Sequence, residues 1–525
     1  MKNQSTLNIE TPRKIVFIYF LLWISFIDQS SAARKQTLTD SIRMAYQEYQ
    51  MTLLQLPDNK SQLDRKRKRY IALKTRYLEK KPKTTISPSM GGVSDELGIT
   101  GNATIPEIKE CLLDAEDDTL WLEGFRDRLL RAIDNPDQME LEDLGLYFTP
   151  TYDNRVEWIT DRDEFWQKLI NALEESKQSI HIHLYGFKAD EWGRSLCRLL
   201  IKKARQGVRI RLILDRFGAR LSLFHRIQRT QQQAWLDSLT TAGGEIVYYS
   251  HPPHPTLGDY FHFDHRKYFI IDGHMALHTG YTVEQSMYTR MMDMAMLLEG
   301  SIVNQLQAIF FSNFLYNGGH IALDSAAAYF PSPESGENNN GVNGRILINA
   351  PGIQHPITQT LYREIDRAQT EILIFSPYFT ENRIMNHLKT ALARGVAVKL
   401  IIPANPENKI NRFNTEYHLH QLSNAGATIY RFEGSDHQGR FHAKGLITDQ
   451  SYACMGSCNM DSFSLYRNFE QNIEIRNMAS VRQLILQIKR DILPYCCVYS
   501  PPTSRWQRIW LHCKGWLSEL FDPFV

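Results

Sequence analysis

Two histidine and lysine pairs in this chain share one short pattern, His265-Arg-Lys267-Tyr-Phe-Ile-Ile-Asp272 and His442-Ala-Lys444-Gly-Leu-Ile-Thr-Asp449. The register runs on beyond the pattern, because Asp293 follows His265 by 28 residues and Glu470 follows His442 by 28. An imidazole that attacks or donates a proton needs its second nitrogen held by an acceptor, and a carboxylate there fixes tautomer and orientation. Lysines beside such histidines put positive charge where an anionic oxygen would sit, which is the stabilisation that phosphoryl chemistry demands. The second half adds Gly456-Ser457-Cys458-Asn459, and the Ser457 hydroxyl and Asn459 amide can donate to the same oxygens. A phosphodiester substrate is expected. One copy of His-x-Lys is a weak motif, but two copies in matched register imply one active site built from two halves of a duplicated fold.

Parity separates the groups further. In a strand, side chains at i and i+2 share a face, so His265 projects with Lys267 and His442 with Lys444. Asp272 and Asp449 lie at i+7, of opposite parity and next to a turn, and are expected to fix that turn or pair with a neighbour rather than join the pocket. Asp293 and Glu470 are the expected partners of the histidines. His251, His254, His262 and His265 fall close together, but no matching cluster precedes His442, and a metal on His265 would block its lone pair. The first three are expected to line the pocket mouth, with no metal and no cofactor. Seven cysteines, an odd number without metal-ligand spacing, do not form a disulfide framework, and Cys458 reads as a small loop residue.

The elements around the motifs repeat in order. Ser179-Ile-His-Ile-His-Leu-Tyr-Gly-Phe187 matches Glu371-Ile-Leu-Ile-Phe-Ser-Pro-Tyr-Phe379, both strand-like. A helix follows each and ends at Gly207 or Gly395, and then Val208–Leu214 matches Val396–Ile402. A further helix ends at Ala242-Gly243 or Ala425-Gly426, before Glu245–Tyr249 or Thr428–Phe432, and the motif strand closes each series. Short apolar strands alternating with helices predict an α/β fold with a sheet covered on both faces.

At 525 residues the chain exceeds one core, and about 150 residues per domain suggests about three units. Residues 1–33 carry Lys2, Arg13 and Lys14, an apolar run from Ile15 to Ile27 and the small residues Ser31-Ala32-Ala33, and read as a signal peptide or an uncleaved anchor. Residues 34–105 form a basic helical extension and linker, with Arg65-Lys66-Arg67-Lys68-Arg69 either a solvated face or an attraction to anionic headgroups. The first lobe is expected over 106–330, a Gly- and Asn-rich linker over 331–345 and the second lobe over 346–525. The second ends in an amphipathic helix, with Trp506, Ile509, Trp510, Cys513, Leu517 and Leu520 at helical spacing. The net charge of +2 says little about partners.

From about Leu146 to Glu474 these residues resemble the phospholipase D superfamily, and within it bacterial cardiolipin synthases. Gly456-Ser-Cys-Asn-Met-Asp-Ser-Phe-Ser-Leu-Tyr-Arg-Asn-Phe-Glu470 is similar to that subgroup's second motif and its extension, with a weaker echo at Leu520-Phe-Asp-Pro-Phe-Val525. The resemblance implies two similar lobes, each a mixed β-sheet flanked by helices, with the active site at their interface. It implies a covalent phosphohistidine on His265, with His442 as the acid for the leaving alkoxide and then the base for the acceptor. It implies a phospholipid substrate, phosphatidylglycerol or similar, a membrane surface as partner, no nucleic acid, and a membrane-associated or exported location. Nothing in the sequence sets an oligomeric state. The first half departs from the pattern: Thr282 stands where the family has Asn, able to donate one hydrogen bond without the amide geometry, and Met292 replaces an Arg commonly found before the acid. The leading expectation is a phosphatidyltransferase of cardiolipin synthase type. With water as acceptor the same chemistry is a phospholipase D releasing phosphatidic acid; a phosphodiesterase-type nuclease and a non-catalytic lipid-binding protein are the other readings.

Overall fold

The structure is a computed structural model that describes residues 150–219, 226–249, 262–319, 321, 329–331, 341–351, 355–406, 409–434, 439–501 and the single positions 504, 506 and 511. The expected N-terminal segments 1–33 and 34–105, the start of the first lobe, His251, His254 and most of the C-terminal helix lie outside the described residues. The linker expected over 331–345 runs into a strand that begins at Val342.

The first half runs β1 (Thr151–Ile159), α1 (Arg162–Glu175), β2 (Ser179–Leu184), α2 (Glu191–Arg205), β3 (Arg209–Asp215), α3 (Arg216–Ala219), α4 (Arg226–Thr241) and β4 (Glu245–Tyr249). It continues through β5 (Tyr268–Ile271), β6 (Met275–Thr279), α5 (Gln285–Arg290), β7 (Met291–Met292), β8 (Ala295–Glu299) and α6 (Ser301–Tyr316). The second half repeats the order with β9 (Val342–Asn349), α7 (Pro356–Arg367), β10 (Glu371–Phe375), α8 (Asn382–Ala393), β11 (Ala397–Pro403), α9 (Lys409–Asn424) and β12 (Thr428–Phe432). It closes with β13 (Arg440–Phe441), β14 (Gly445–Thr448), β15 (Tyr452–Gly456), α10 (Ser462–Tyr466), β16 (Glu470–Arg476), α11 (Met478–Asp491) and β17 (Cys496–Val498).

In each half three strands are parallel (β2, β3, β4 and β10, β11, β12) and the motif strand joins them antiparallel, β5 on β2 and β14 on β10. Such strands are buried on both faces, and Ser179–Leu184 is buried at all its positions, its serine and two histidines included. The helices that connect them stop at equivalent left-handed glycines, Gly207 (φ 89) with Gly395 (φ 87) and Gly243 (φ 101) with Gly426 (φ 103).

The two half-sheets are not separate. β1 pairs antiparallel with β9, its counterpart, and among the described residues the strands form one 15-stranded sheet in the order β17-β12-β11-β10-β14-β15-β16-β9-β1-β8-β6-β5-β2-β3-β4. One face carries a hydrophobic core common to both halves, with Trp158, Ile302 and Phe310 of the first against Ile346, Ile473 and Ile488 of the second. Burial of each such side chain stabilises the fold by roughly 1.5–3 kcal/mol. The indole of Trp158 donates to the backbone O of Ser480 at 2.9 Å, so the first strand is also tied to α11 by a polar contact. Each half keeps its own core on the other face, around Phe165, Leu196 and Leu212 in the first and Leu361, Leu388 and Leu400 in the second. No helix among the described residues is long and apolar enough to cross a membrane.

Candidate active site

The site begins with backbone hydrogen bonds that cross between the halves. His265 N donates to Phe469 O at 2.9 Å, and His442 N donates to Met292 O at 2.7 Å. Phe469 and Met292 each precede an acid, so each histidine is set beside the acid of the opposite half. The short strands β7 and β13 reinforce this, pairing Met291 with Arg440 and Met292 with Phe441. Here the structure departs from the expected strand position of the His-x-Lys pairs, since β5 starts at Tyr268 and β14 at Gly445. The reason is that the backbone of each histidine is bonded across the interface instead of continuing the ladder of its own sheet.

Two crossed dyads result. His265 Nδ1 lies 3.0 Å from both Glu470 Oε1 and Oε2, and His442 Nδ1 lies 2.6 Å from Asp293 Oδ2. A carboxylate only accepts, so Nδ1 carries the hydrogen in both rings and Nε2 is left with the lone pair. Lys444 Nζ is 3.3 Å from Asp293 Oδ2 and lies against both ring nitrogens of His442, 2.5 Å from Nδ1 and 3.1 Å from Nε2. Lys267 is buried, and its ammonium contacts His265 O and lies 5.4 Å from the Tyr185 ring centre. Among the described residues no hydrogen bond reaches His265 Nε2, whereas that of His442 meets Lys444.

Burial governs the charges. It lowers the pKa of His265, and it lowers that of His442 to about 4 with help from the charge of Lys444. Both imidazoles are therefore neutral near pH 7. Burial also takes the Lys267 ammonium down to about 7 and lowers Lys444, each against the pull of the nearby carboxylates. For Asp293 burial acts the other way, but Lys444 and His442 outweigh it and hold the carboxyl below its usual range. The field of Lys444 reaches His265 and that of Lys267 reaches His442, so the four groups share one electrostatic environment.

The acids are seated differently. Asp293 occupies space opened by Gly280, where an added Cβ would fall 2.2 Å from Oδ2. Asp293 Oδ1 accepts from Met294 N at 2.8 Å, and its backbone is gripped by Tyr281, whose hydroxyl accepts from Asp293 N at 2.8 Å and donates to Asp293 O at 3.0 Å. In the second half Ser457 stands at the position of Gly280, and its hydroxyl donates to Glu470 Oε2 while accepting from Gln471 N at 3.0 Å. Ser457 was expected to donate to substrate; its single proton is spent on Glu470, so it steadies the acid instead. Asn459 is buried and its Oδ1 has no partner among the described residues. Thr282 is buried against Gly186, just past β2.

The two motif aspartates sit away from the dyads. Asp272, at φ 51, accepts from the backbone N–H groups of Lys177, Gln178 and Ser179 at 2.7–2.8 Å. Asp449, at φ 49, accepts from those of Gln369, Thr370 and Glu371 at 2.8–3.1 Å. Each carboxylate thus caps the start of the neighbouring strand, β2 or β10. Sequence reasoning passed over Tyr185, whose ring meets His265 edge-on with centroids 5.0 Å apart. Its signal was present: it directly follows the carboxyl end of a parallel strand, where α/β sheets place their ligands. Among the described residues no group of three or more His, Cys, Asp or Glu is arranged to hold a metal.

Comparison with known proteins agrees with this architecture. The family profile described as "Cardiolipin synthase, PLD-like domain" matches residues 169–314 and 361–492, the two repeated halves. The chain is 28% identical over 428 residues to the major cardiolipin synthase ClsA of Bacillus subtilis (strain 168), covering 79% of this chain and 85% of that protein. It is 28% identical over 374 residues to a cardiolipin synthase of Clostridium perfringens (strain SM101 / Type A), covering 68% and 72%. The crystal structure of a phosphatidylserine synthase from Haemophilus influenzae Rd KW20 shares the fold, with a TM-score of 0.55, 14% identity and coverage of 73% of this chain and 98% of that one. The duplicated halves and the match to both of them show that the chain belongs to the phospholipase D superfamily, in its cardiolipin synthase, PLD-like family.

Proposed function

We propose that this chain, a phospholipase D-superfamily enzyme of the phosphatidyltransferase kind, makes a cardiolipin-type lipid by passing a phosphatidyl group from one phospholipid to the hydroxyl of another. The observation that carries the reading is the pair of crossed histidine and carboxylate dyads with two buried lysines between them. Neutral His265 has an unengaged Nε2 lone pair and is the nucleophile: it attacks phosphorus, and the P–O bond to the donor's headgroup alcohol breaks. His442 gives its Nε2 proton to that alkoxide. Burial and Lys444 favour its neutral form in the free enzyme, and the negative charge of a bound phosphodiester favours the proton. In the second half-reaction neutral His442 takes the proton of the acceptor hydroxyl, whose oxygen attacks phosphorus and releases His265. Glu470 and Asp293 hold the two tautomers and stabilise imidazolium, and Lys267 and Lys444 neutralise the phosphoryl oxygens.

Phosphatidylglycerol is the proposed donor and acceptor, because a free glycerol hydroxyl on a lipid is the acceptor that a cardiolipin-type product requires. The apolar run Ile15–Ile27 and the basic segment after it support action at a membrane surface and a membrane-associated or exported location. The same composition supports the layout of anchor or signal, basic extension and two lobes. The test is incubation of the purified protein with labelled phosphatidylglycerol, or with DNA, beside the His265→Ala and His442→Ala proteins. A cardiolipin-type product made by the wild type and lost in both variants is expected. Turnover of DNA alone would overturn the substrate class, phosphatidic acid as the sole product would make water the acceptor, and lipid turnover that survives both substitutions would overturn the mechanism.

A further inference from the structure

Among the described residues the first half contains a buried charge network that has no counterpart in the second. Asp264 and Arg266 flank His265, and both are almost fully buried, at 0% and 1% exposure. Arg266 grips Asp264 with two donors, Nε to Oδ1 at 2.8 Å and Nη2 to Oδ2 at 2.6 Å, and Nη2 also donates to Asn313 Oδ1 of α6 at 2.9 Å. Its guanidinium lies 5.4 Å from the ring centre of Phe469, the residue whose carbonyl receives His265 N–H. On the other side His183 Nε2 is 2.8 Å from Asp264 Oδ2 and Nδ1 is 3.1 Å from the Tyr268 hydroxyl. Because the carboxylate can only accept, His183 Nε2 carries the hydrogen and Nδ1 accepts from Tyr268. Asp264 N donates to Asp215 Oδ2 at 2.9 Å, and Asp264 forms a parallel bridge with Phe469.

In the matched register Asp264 corresponds to Phe441, Arg266 to Ala443, His183 to Phe375 and Tyr268 to Gly445. The segment before His442 is thus packed by apolar groups, and the segment before His265 is clamped by directional bonds. A buried ion pair is weak support for stability, since the loss of hydration offsets much of the attraction, and its best-attested use is to fix one arrangement. The two histidines also differ in what they need: a nucleophile must meet phosphorus in line, while an acid needs only a hydrogen-bond approach.

We propose that Asp264, Arg266 and His183 are positioning residues that hold the backbone on both sides of His265 so that its ring meets Glu470 and attacks phosphorus in line. The inference rests on the reading that His265 forms the covalent bond. The test measures kcat and KM for labelled phosphatidylglycerol, with thermal unfolding, in Asp264→Asn, Arg266→Met and the double variant Asp264→Leu/Arg266→Met. Asp264→Asn keeps shape and loses charge; its kcat is expected to fall about 100-fold with KM within about twofold, as a misplacement on the order of 1 Å would give. The double variant removes both charges together and is expected to regain the wild-type Tm while kcat stays low. Recovery of kcat along with Tm would reduce the network to a structural role and overturn the proposal. Should the double variant not fold, wild-type kcat in Asp264→Asn overturns it equally. His265→Ala in the same assay separates the failures: retained turnover there sinks the functional reading, whereas its loss beside an unaffected Asp264→Asn sinks only the positioning role.

Discussion

Replacing Gly280 with alanine tests the Asp293–His442 dyad through one added methyl group. Gly280 does not have a positive φ, so alanine brings no backbone strain there. The new Cβ would lie 2.2 Å from Asp293 Oδ2 and 2.6 Å from Cγ and Oδ1. Carbon and oxygen cannot approach so closely, and the carboxylate has to move by roughly 1 Å or more to reach ordinary contact. It has little room, being held by Met294 N at 2.8 Å and His442 Nδ1 at 2.6 Å. Movement away breaks the bond to the imidazole, and movement toward it drives the ring from its place. A hydrogen bond to a charged group is worth about 1.5–3 kcal/mol, and at about 1.4 kcal/mol per tenfold its loss lowers kcat roughly 10- to 150-fold. Overpacking should lower stability by about 1–3 kcal/mol. The assay is kcat for labelled phosphatidylglycerol, normalised to the folded fraction from urea unfolding. A folded Gly280→Ala protein with kcat within twofold of wild type would refute the dyad's role.

Glu470→Gln should lower kcat by about 100-fold or more with little change in KM, because an amide cannot stabilise the imidazolium that forms on His265; steady-state kinetics at saturating lipid checks this. Asp272→Ala should lose about 3 kcal/mol or more of stability in urea titration, since three backbone donors at the start of β2 lose an ionised acceptor, while activity per folded molecule is unchanged. For Lys267, burial lowers the folded pKa to about 7 from 10.5, so between those values the unfolded chain binds more protons and stability contributed by this site rises with pH. The penalty is complete below about pH 7 and relieved toward pH 10.5. The urea midpoint of Lys267→Met should therefore change less between pH 7 and pH 9 than that of wild type, and equal changes would contradict the buried ammonium.

What could be read in the sequence was local pattern. The order of strands and helices, the two His-x-Lys pairs and the acids 28 residues beyond them follow from spacing, and the structure brings those histidines and acids into contact. That Asp272 and Asp449 stay outside the dyads follows from their place in a turn, whereas the parity argument assumed strands that in the structure begin only at Tyr268 and Gly445. The crossing of partners was not legible, because it depends on the carbonyls of Phe469 and Met292 accepting from histidines of the opposite half, 204 and 150 residues away in the chain. The hydroxyl of Ser457 shows the same limit: its type permits donation to phosphate, but only its position beside Glu470 reveals where the proton goes. The joined sheet was hidden too, since β1 and β9 carry no signal that says which strand each will meet.

One site shared by two halves and two independent sites predict different arithmetic for single substitutions. Measured as kcat for labelled phosphatidylglycerol, His265→Ala and His442→Ala should each lose at least about 1,000-fold, because removing one member of a unit costs nearly as much as removing the whole. The double variant should be little worse than either. If instead each single variant keeps about half of wild-type activity and only the double variant is inactive, each half works alone and the shared site is wrong.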